Sequence, residues 1–243
     1  MRICIIVPWV LSNKSLIPSS LALGSSGAEE TLINLTRLLK AVGAHVDVYY
    51  ADLSVEEFAF GASWWKLEQL DRGKLYDSVL IWNDYRPILE SLLAKLPRAK
   101  RFYVRFVNQI SQDDFLWLAR RFDVILTQSK WLTRKYHTKC RNVLLCSNGI
   151  TAGQYYCDDH HYMRSESTYI YGSEYDRGLI HLLNLWPSLI KRYPGIKLKV
   201  FHGWDVYNAK LERLARGSHQ YASMQAYKVH LSKLLKTTQG VSE

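Results

Sequence analysis

The sequence predicts an α/β fold in which a doubly wound parallel sheet is followed by a second, incomplete Rossmann-like sheet. Short runs rich in β-branched residues alternate with amphipathic helical segments, and the connections between them are short. This alternation is typical of parallel sheets that helices cover on both faces. A polar segment, 151–167, interrupts it, and a second series begins near Tyr169. We therefore expect a Rossmann-like domain over 1–150, a linker over 151–167 and a partial Rossmann-like domain over 168–243.

The predicted elements of the first domain follow from apolar spacing. Leu32, Leu35 and Leu39 fall on one face of a helix, for example, whereas 3–7 is a continuous apolar run that fits a buried strand. The predicted strands are 3–7, 45–50, 78–82, 101–106, 124–127 and 142–146. The predicted helices are 28–40, 55–69, 87–96, 113–121 and 130–137.

Composition narrows the possible functions. No apolar run approaches the roughly 18–20 residues of a membrane-spanning helix, so we expect a cytoplasmic protein that is soluble or peripheral to a membrane. The four cysteines lack Cys-x-x-Cys spacing, which favours free thiols and argues against a metal site. No Gly-x-Gly-x-x-Gly follows the first strand, which argues against a dinucleotide cofactor.

The net charge is +10, and its excess is concentrated late in the chain. From position 187 onward there are ten Lys/Arg against three Asp/Glu. Such a surface suits nucleic acid, anionic lipid or an anionic sugar nucleotide, or it is simply a solvated helical face. No helix-turn-helix, zinc finger or RNP-like string accompanies it, so dedicated nucleic-acid binding is not expected.

The turn after the strand near Tyr169 is the strongest candidate site. Gly172 and Ser173 end the apolar run, and a helix with leucines at helical spacing begins after Gly178. A strand, a turn and a helix in this order bring free backbone N–H groups and the positive end of a helix dipole together, where a diphosphate binds well. Arg177 stands there, and its planar guanidinium can hold two phosphate oxygens. The alternative is a solvent-exposed arginine in the first turn of a helix.

Further candidates lie at the predicted carboxyl edge of the first sheet. Asn83 and Asp84 follow the third strand and Arg105 ends the next, and they are candidate acceptor contacts or ordinary polar turn residues. Gly27 precedes a helix, where it either lets backbone approach a ligand or belongs to a plain capped helix start. Trp64 and Trp65 either stack on sugar rings or pack in the interior.

The turn and its helix resemble the start of the donor-binding domain of family-four GT-B glycosyltransferases. The resemblance rests on Gly172-Ser173, on a basic residue before glycine (Arg177-Gly178), and on the helix signature Leu182-Leu183-x-x-Trp186-Pro187. The segment 194–204 looks like that family's next strand with its terminal glycine, and 147–150 (Ser-Asn-Gly-Ile) looks like the turn that opens the interdomain linker. The segment around Gly27 looks like the loop that touches the donor phosphate.

This resemblance implies a GT-B-like fold and retaining transfer of a hexose from a nucleotide diphosphate sugar to a glycan or lipid-linked acceptor. It implies no cofactor, no metal and no enzymic nucleophile. Donor contacts would be Gly27, Gly172, Ser173, Arg177 and Gly178. The family's second basic residue upstream of the glycine is replaced here, since Ser173 and Glu174 occupy that region.

The resemblance also implies that the donor-binding half is incomplete, because the family's paired sugar-binding glutamates would follow position 243. We therefore expect little transfer by this chain alone, and docking of a second chain or self-association at the shortened sheet. The alternative function is a non-catalytic fragment that binds carbohydrate or a partner chain.

Overall fold

The fold is described from a computed structural model, which covers residues 1–8, 16–19, 27–82, 86–106, 109–147, 167–201 and 203–242, with the backbone alone at 206 and 209. The chain divides into two compact units, Met1–Tyr156 and Cys157–Glu243. The predicted linker lies outside the described residues except for its last position, Ser167.

The first unit is built on an eight-stranded sheet in the order β3-β4-β2-β1-β5-β6-β7-β8. All its neighbouring strands are parallel except the β3–β4 pair at one edge. Without that edge strand the order runs 3-2-1-4-5-6-7, which extends the doubly wound pattern by one strand. The strands are β1 (Arg2–Val7), β2 (His45–Tyr50), β3 (Glu57–Ala59), β4 (Ala62–Lys66), β5 (Leu75–Trp82), β6 (Arg98–Phe106), β7 (Val124–Thr127) and β8 (Val143–Leu145); the helices are α1 (Gly27–Ala41), α2 (Arg86–Leu93), α3 (Gln112–Ala119) and α4 (Lys130–His137).

Hydrophobic cores lie on both faces of this sheet. On β1, Cys4 and Ile6 join one core, whereas Ile3, Ile5 and Val7 join the other. Alternate residues of a strand point to opposite faces, so a strand buried on both sides must be apolar throughout. This is the physical reason for the continuous apolar run at the start of the chain.

The predicted helix over 55–69 is wrong. This segment forms β3, β4 and a short 3₁₀ helix, Leu67–Gln69. Phe60 and Gly61 both have positive φ, 53° and 81°, and turn the chain into an antiparallel pair. Trp64 is 1% exposed on β4 and its indole N–H donates to the Ala59 carbonyl at 3.1 Å, so it belongs to the core. The pleated β4 surface buries this ring directly, and that packing overrides the helical spacing of the apolar residues.

The second unit contains a three-stranded parallel sheet in the order β11-β10-β9. Its core joins Leu198 and Val200 to residues of two helices, including Leu183, Trp186 and Leu231. The elements are β9 (Thr168–Tyr171), α5 (Leu179–Arg192), β10 (Lys197–Val200), α6 (Asp205–Glu212), α7 (His219–Thr237) and β11 (Val241–Ser242). The predicted fold class, α/β with parallel Rossmann-like sheets, is confirmed.

The other face of the second sheet is exposed. Lys197 and Lys199 alternate with the buried residues of β10, and they are exposed together with Ile170 on β9 and with Phe201. Ile170 is 69% exposed and lies opposite Lys199 in the strand register. Within the described part of the second unit, helices therefore cover one face of this sheet and leave the other exposed.

Candidate functional site

A strand, a turn and a helix follow one another from β9 to α5 in the order that the sequence predicted. Gly178 is the residue before the helix and has φ 97°, a conformation that favours glycine over every other residue. Its carbonyl accepts from the backbone N–H groups of His181 and Leu182 at 3.1 and 3.3 Å. No side chain caps the helix from this position. The positive end of the α5 dipole therefore points at the turn that contains Gly172 and Ser173.

Tyr171 supplies a hydroxyl at this turn. It donates to the Glu174 carbonyl at 2.9 Å. Burial raises the pKa of Tyr171, and hydrogen bonds with Ser173 and with the Leu179 backbone offset this rise in part. The first backbone N–H of α5, that of Leu179, is therefore not free as predicted, because the phenol oxygen at the end of β9 accepts from it.

The charges around the turn balance one another. Arg177 is 68% exposed, and its Nε lies 3.8 Å from a carboxylate oxygen of Glu174. Lys210, from α6, pairs with Glu174 and also lies 3.0 Å from a carboxylate oxygen of Asp176. Two cations thus meet two carboxylates. A diphosphate that binds both cations must displace the carboxylates that already pair with them. This competition reduces the net free energy of diphosphate binding.

Sequence reasoning missed Lys210. It supplies a second cation at the turn, where the family pattern has a basic residue upstream that this chain replaces with Ser173 and Glu174. Burial acts to lower the pKa of Lys210, but hydrogen bonds with Glu174 and Asp176 outweigh it and raise the pKa above its ordinary value. The sequence offered one signal for Lys210, which is the topology. The helix α6 follows β10, and β10 pairs in parallel with β9, so α6 starts at the same edge of the sheet as the turn after β9.

Arg105 is a buried cation at the carboxyl edge of the first sheet. It is 4% exposed, and its guanidinium carbon lies 3.8 Å from the centroid of the Trp82 ring on the neighbouring strand. Burial lowers its pKa. Little of its surface is therefore open to a ligand, and its position suits a structural role at the ends of the strands. The companion candidates Asn83 and Asp84 lie outside the described residues.

The first turn of α1 contains a second buried charge. Glu29 is 2% exposed and accepts a hydrogen bond from the Tyr50 hydroxyl, at the end of β2, at 3.0 Å. Gly27 begins the same helix, and a Cβ there would meet no atom of a described residue within 4 Å. Of the predicted first-unit residues, Gly27 is therefore accessible and Arg105 is buried, although both lie at the same sheet edge.

Among the described residues, no three His, Cys, Asp or Glu side chains form a group that could hold a metal ion. No helix in the described ranges is long and apolar enough to span a bilayer.

Comparison with known proteins gives a likeness of fold. No family model matches the chain, and no curated protein sequence matches it. The structure is similar to that of a glycosyltransferase from Rickettsia africae ESF-5, with a TM-score of 0.59 and 12% sequence identity; the match covers 99% of this chain and 67% of that chain. At this level of identity the likeness concerns the fold. The chain has the fold of part of that glycosyltransferase over nearly its whole length.

Proposed function

We propose that this chain is a glycosyltransferase of the GT-B type, which moves a hexose from a nucleotide diphosphate sugar to a glycan or lipid-linked acceptor with retention of configuration. The observation that supports the proposal most is the similarity to a glycosyltransferase over 99% of the chain, in both parallel-sheet units. The turn after β9 adds a helix N-terminus and two nearby cations, the kind of groups that stabilise a leaving diphosphate.

In this proposal the turn binds the donor diphosphate by exchanging partners. Gly172, Ser173 and Gly178 bring backbone close to the phosphates, and Arg177 turns from Glu174 towards them. Glu174 keeps its second cation, Lys210, so its carboxylate is not left unpaired when Arg177 moves. The donor phosphate then takes the acceptor proton, so the chemistry uses no nucleophile from the protein. The carboxyl edge of the first sheet would receive the acceptor, with Asn83 and Asp84 as candidate contacts and the buried Arg105 in support of the strand ends.

Calorimetric titration of UDP and GDP tests the donor site. Arg177→Ala should weaken nucleotide binding roughly 10- to 100-fold, because it removes a charge-assisted contact. Arg192→Ala is the matched control, since it removes an exposed arginine from the other end of the same helix. Equal affinities of wild type and Arg177→Ala would remove Arg177 from the site. A wild-type chain that binds neither nucleotide would reject the proposed donor binding.

The second candidate is a non-catalytic chain that binds carbohydrate or a partner polypeptide. Two observations favour it: the charges at the turn are already compensated, and Ile170 and Phe201 are exposed on the uncovered face of the second sheet. Exposed apolar residues beside an edge strand favour self-association or docking of another chain. Sedimentation velocity with wild type and Ile170→Lys distinguishes the two candidates when it is combined with a donor-hydrolysis assay. An associating chain without hydrolysis supports the second candidate, and a monomer that turns over the donor supports the first.

A further inference from the structure

Helix α4 exposes a tryptophan to solvent. Trp131 is 58% exposed, whereas Trp64, Trp82, Trp117 and Trp186 are each at most 8% exposed. A large exposed aromatic side chain is costly to hydrate and often marks a contact surface.

Three cations lie close to Trp131 along the helix. Arg134 and Lys135 lie three and four positions further along the helix, on the same face, and Lys130 is adjacent in sequence. The Lys135 ammonium lies 5.1 Å from the centroid of the Trp131 ring. We call these four residues the α4 basic face. None of its cations is within 4 Å of a carboxylate oxygen of a described residue, and 130–147 contains no Asp or Glu.

The opposite side of the helix is firmly held. Leu132 and Tyr136 are buried in the core, and the Ser129 hydroxyl caps the helix by accepting from the Leu132 backbone N–H at 3.2 Å. The α4 basic face is therefore presented in one orientation by a helix whose position is fixed. Apolar surface continues on the side of the sheet that α4 covers, because Leu145 of the edge strand β8 is 42% exposed and shares its face with Val143, which packs in one core with Leu132 and Tyr136.

The carboxyl end of α4 lies near acidic residues. The Tyr136 hydroxyl donates to the Ile110 carbonyl, and Lys139 donates to the Gln112 side chain, which places the acidic first turn of α3 near that end. Asp113 and Asp114 belong to that turn, so the carboxylates of α3 lie towards the carboxyl end of α4 and not towards Trp131, near its start.

We infer that the α4 basic face docks on the surface of an anionic lipid bilayer. Tryptophan prefers the level of the lipid headgroups, where its ring is half-solvated, and each nearby Lys or Arg adds attraction to anionic lipid. The cations without a described carboxylate oxygen within 4 Å, the exposed ring and the neighbouring Leu145 match these requirements together. Nucleic acid would contact the same cations, but it would gain less than a bilayer from contact with the apolar Leu145 side chain. The inference goes beyond the proposed activity and does not depend on it.

Vesicle sedimentation tests this surface with the full chain. The probes are vesicles of phosphatidylcholine alone and vesicles of equal parts phosphatidylcholine and phosphatidylglycerol. Wild type should bind the anionic vesicles and not the neutral ones. The triple variant Lys130→Gln, Arg134→Gln, Lys135→Gln should lower the partition coefficient on the order of 100-fold. Trp131→Ala should lower it about tenfold through lost apolar burial.

Two controls match these changes elsewhere. Lys191→Gln, Lys233→Gln, Lys236→Gln removes the same charge from exposed positions of the helices α5 and α7, and Phe58→Ala removes a ring that is 71% exposed on β3. Both should bind like wild type, and circular dichroism should show every variant folded. The inference is overturned if wild type ignores anionic vesicles, if the charge control loses as much binding as the triple variant, or if Trp131→Ala changes nothing. Binding of a duplex oligonucleotide through the three cations, without vesicle binding, would assign the surface to nucleic acid instead.

Discussion

The guanidinium of Arg105 stacks on the indole ring of Trp82, with its central carbon 3.8 Å from the ring centroid. The two residues are register neighbours at the ends of β6 and β5. Both are nearly buried, at 4% and 5% exposure. A buried cation–aromatic pair is worth up to about 2 kcal/mol, and a planar guanidinium stacks where an ammonium does not.

We therefore expect Arg105→Lys to destabilise the chain by about 1–2 kcal/mol, although it preserves the charge. Urea unfolding followed by circular dichroism measures the change. Arg101→Lys is the matched control, because Arg101 is an exposed position of the same strand, and it should change the free energy of unfolding by less than about 0.5 kcal/mol. Equal stabilities of the two variants would show that the stack contributes nothing.

The turn between β3 and β4 requires glycine for two reasons. Gly61 has φ 81°, and a Cβ built there would lie 2.5 Å from both Cβ and Cγ of Lys40. These are the inner atoms of the lysine side chain, so rotation of its outer part does not relieve the clash. Gly61→Ala should therefore cost about 1–3 kcal/mol in urea unfolding.

Gly27→Ala is the control for that substitution. It adds the same methyl group where no atom of a described residue lies within 4 Å and where the backbone is helical, so it should be neutral or slightly stabilising. A Gly61→Ala protein as stable as wild type would mean that this turn relaxes without cost.

Much of the fold was predictable because apolar spacing alone determines it. The segments 45–50, 124–127 and 130–137 have the predicted bounds, since each has one clearly buried side or an apolar run. The segment 55–69 was not predictable in this way. Its apolar residues have helical spacing, but its structure depends on a Phe60–Gly61 turn and on pairing with β2, which is a tertiary contact.

The candidate site was predictable to a smaller extent. The turn backbone around Gly178 follows from local sequence, but the surroundings of Arg177 do not. Lys210 reaches the turn from a helix more than 30 positions downstream, and it balances the carboxylates of Glu174 and Asp176. No spacing rule connects residues so far apart, so the charge balance of the site became visible only in the structure.

Lys210 should stabilise the turn as well as balance its charge. Lys210→Met removes the cation shared by Glu174 and Asp176 while keeping most of the aliphatic chain, and should destabilise the chain by about 1 kcal/mol, because the group is partly exposed and solvent screens its charge. Thermal unfolding at low and high salt measures the change, and the difference from wild type should shrink in high salt. Lys233→Met, at an exposed position of α7, should leave stability unchanged. A larger difference in high salt would contradict an electrostatic origin.

The second unit should lose stability in alkali through Tyr207. Its hydroxyl donates to the Met224 carbonyl at 2.8 Å, its ring stacks on Tyr227, and burial raises its pKa from 10.0 to about 12. A group with a raised folded-state pKa contributes stability that is complete below the unfolded pKa and is lost as pH rises through the folded one. The loss should therefore fall between pH 10 and about 12.

The variant Tyr207→Phe removes this ionisation. Its melting temperature should therefore fall less steeply over that range than the melting temperature of wild type, although it starts lower because the hydrogen bond is lost. Tyr193→Phe, at a position 51% exposed, should keep the wild-type slope. Thermal melts by far-UV circular dichroism across this pH range provide the comparison, and parallel curves for wild type and Tyr207→Phe would mean that the Tyr207 hydroxyl does not couple folding to pH.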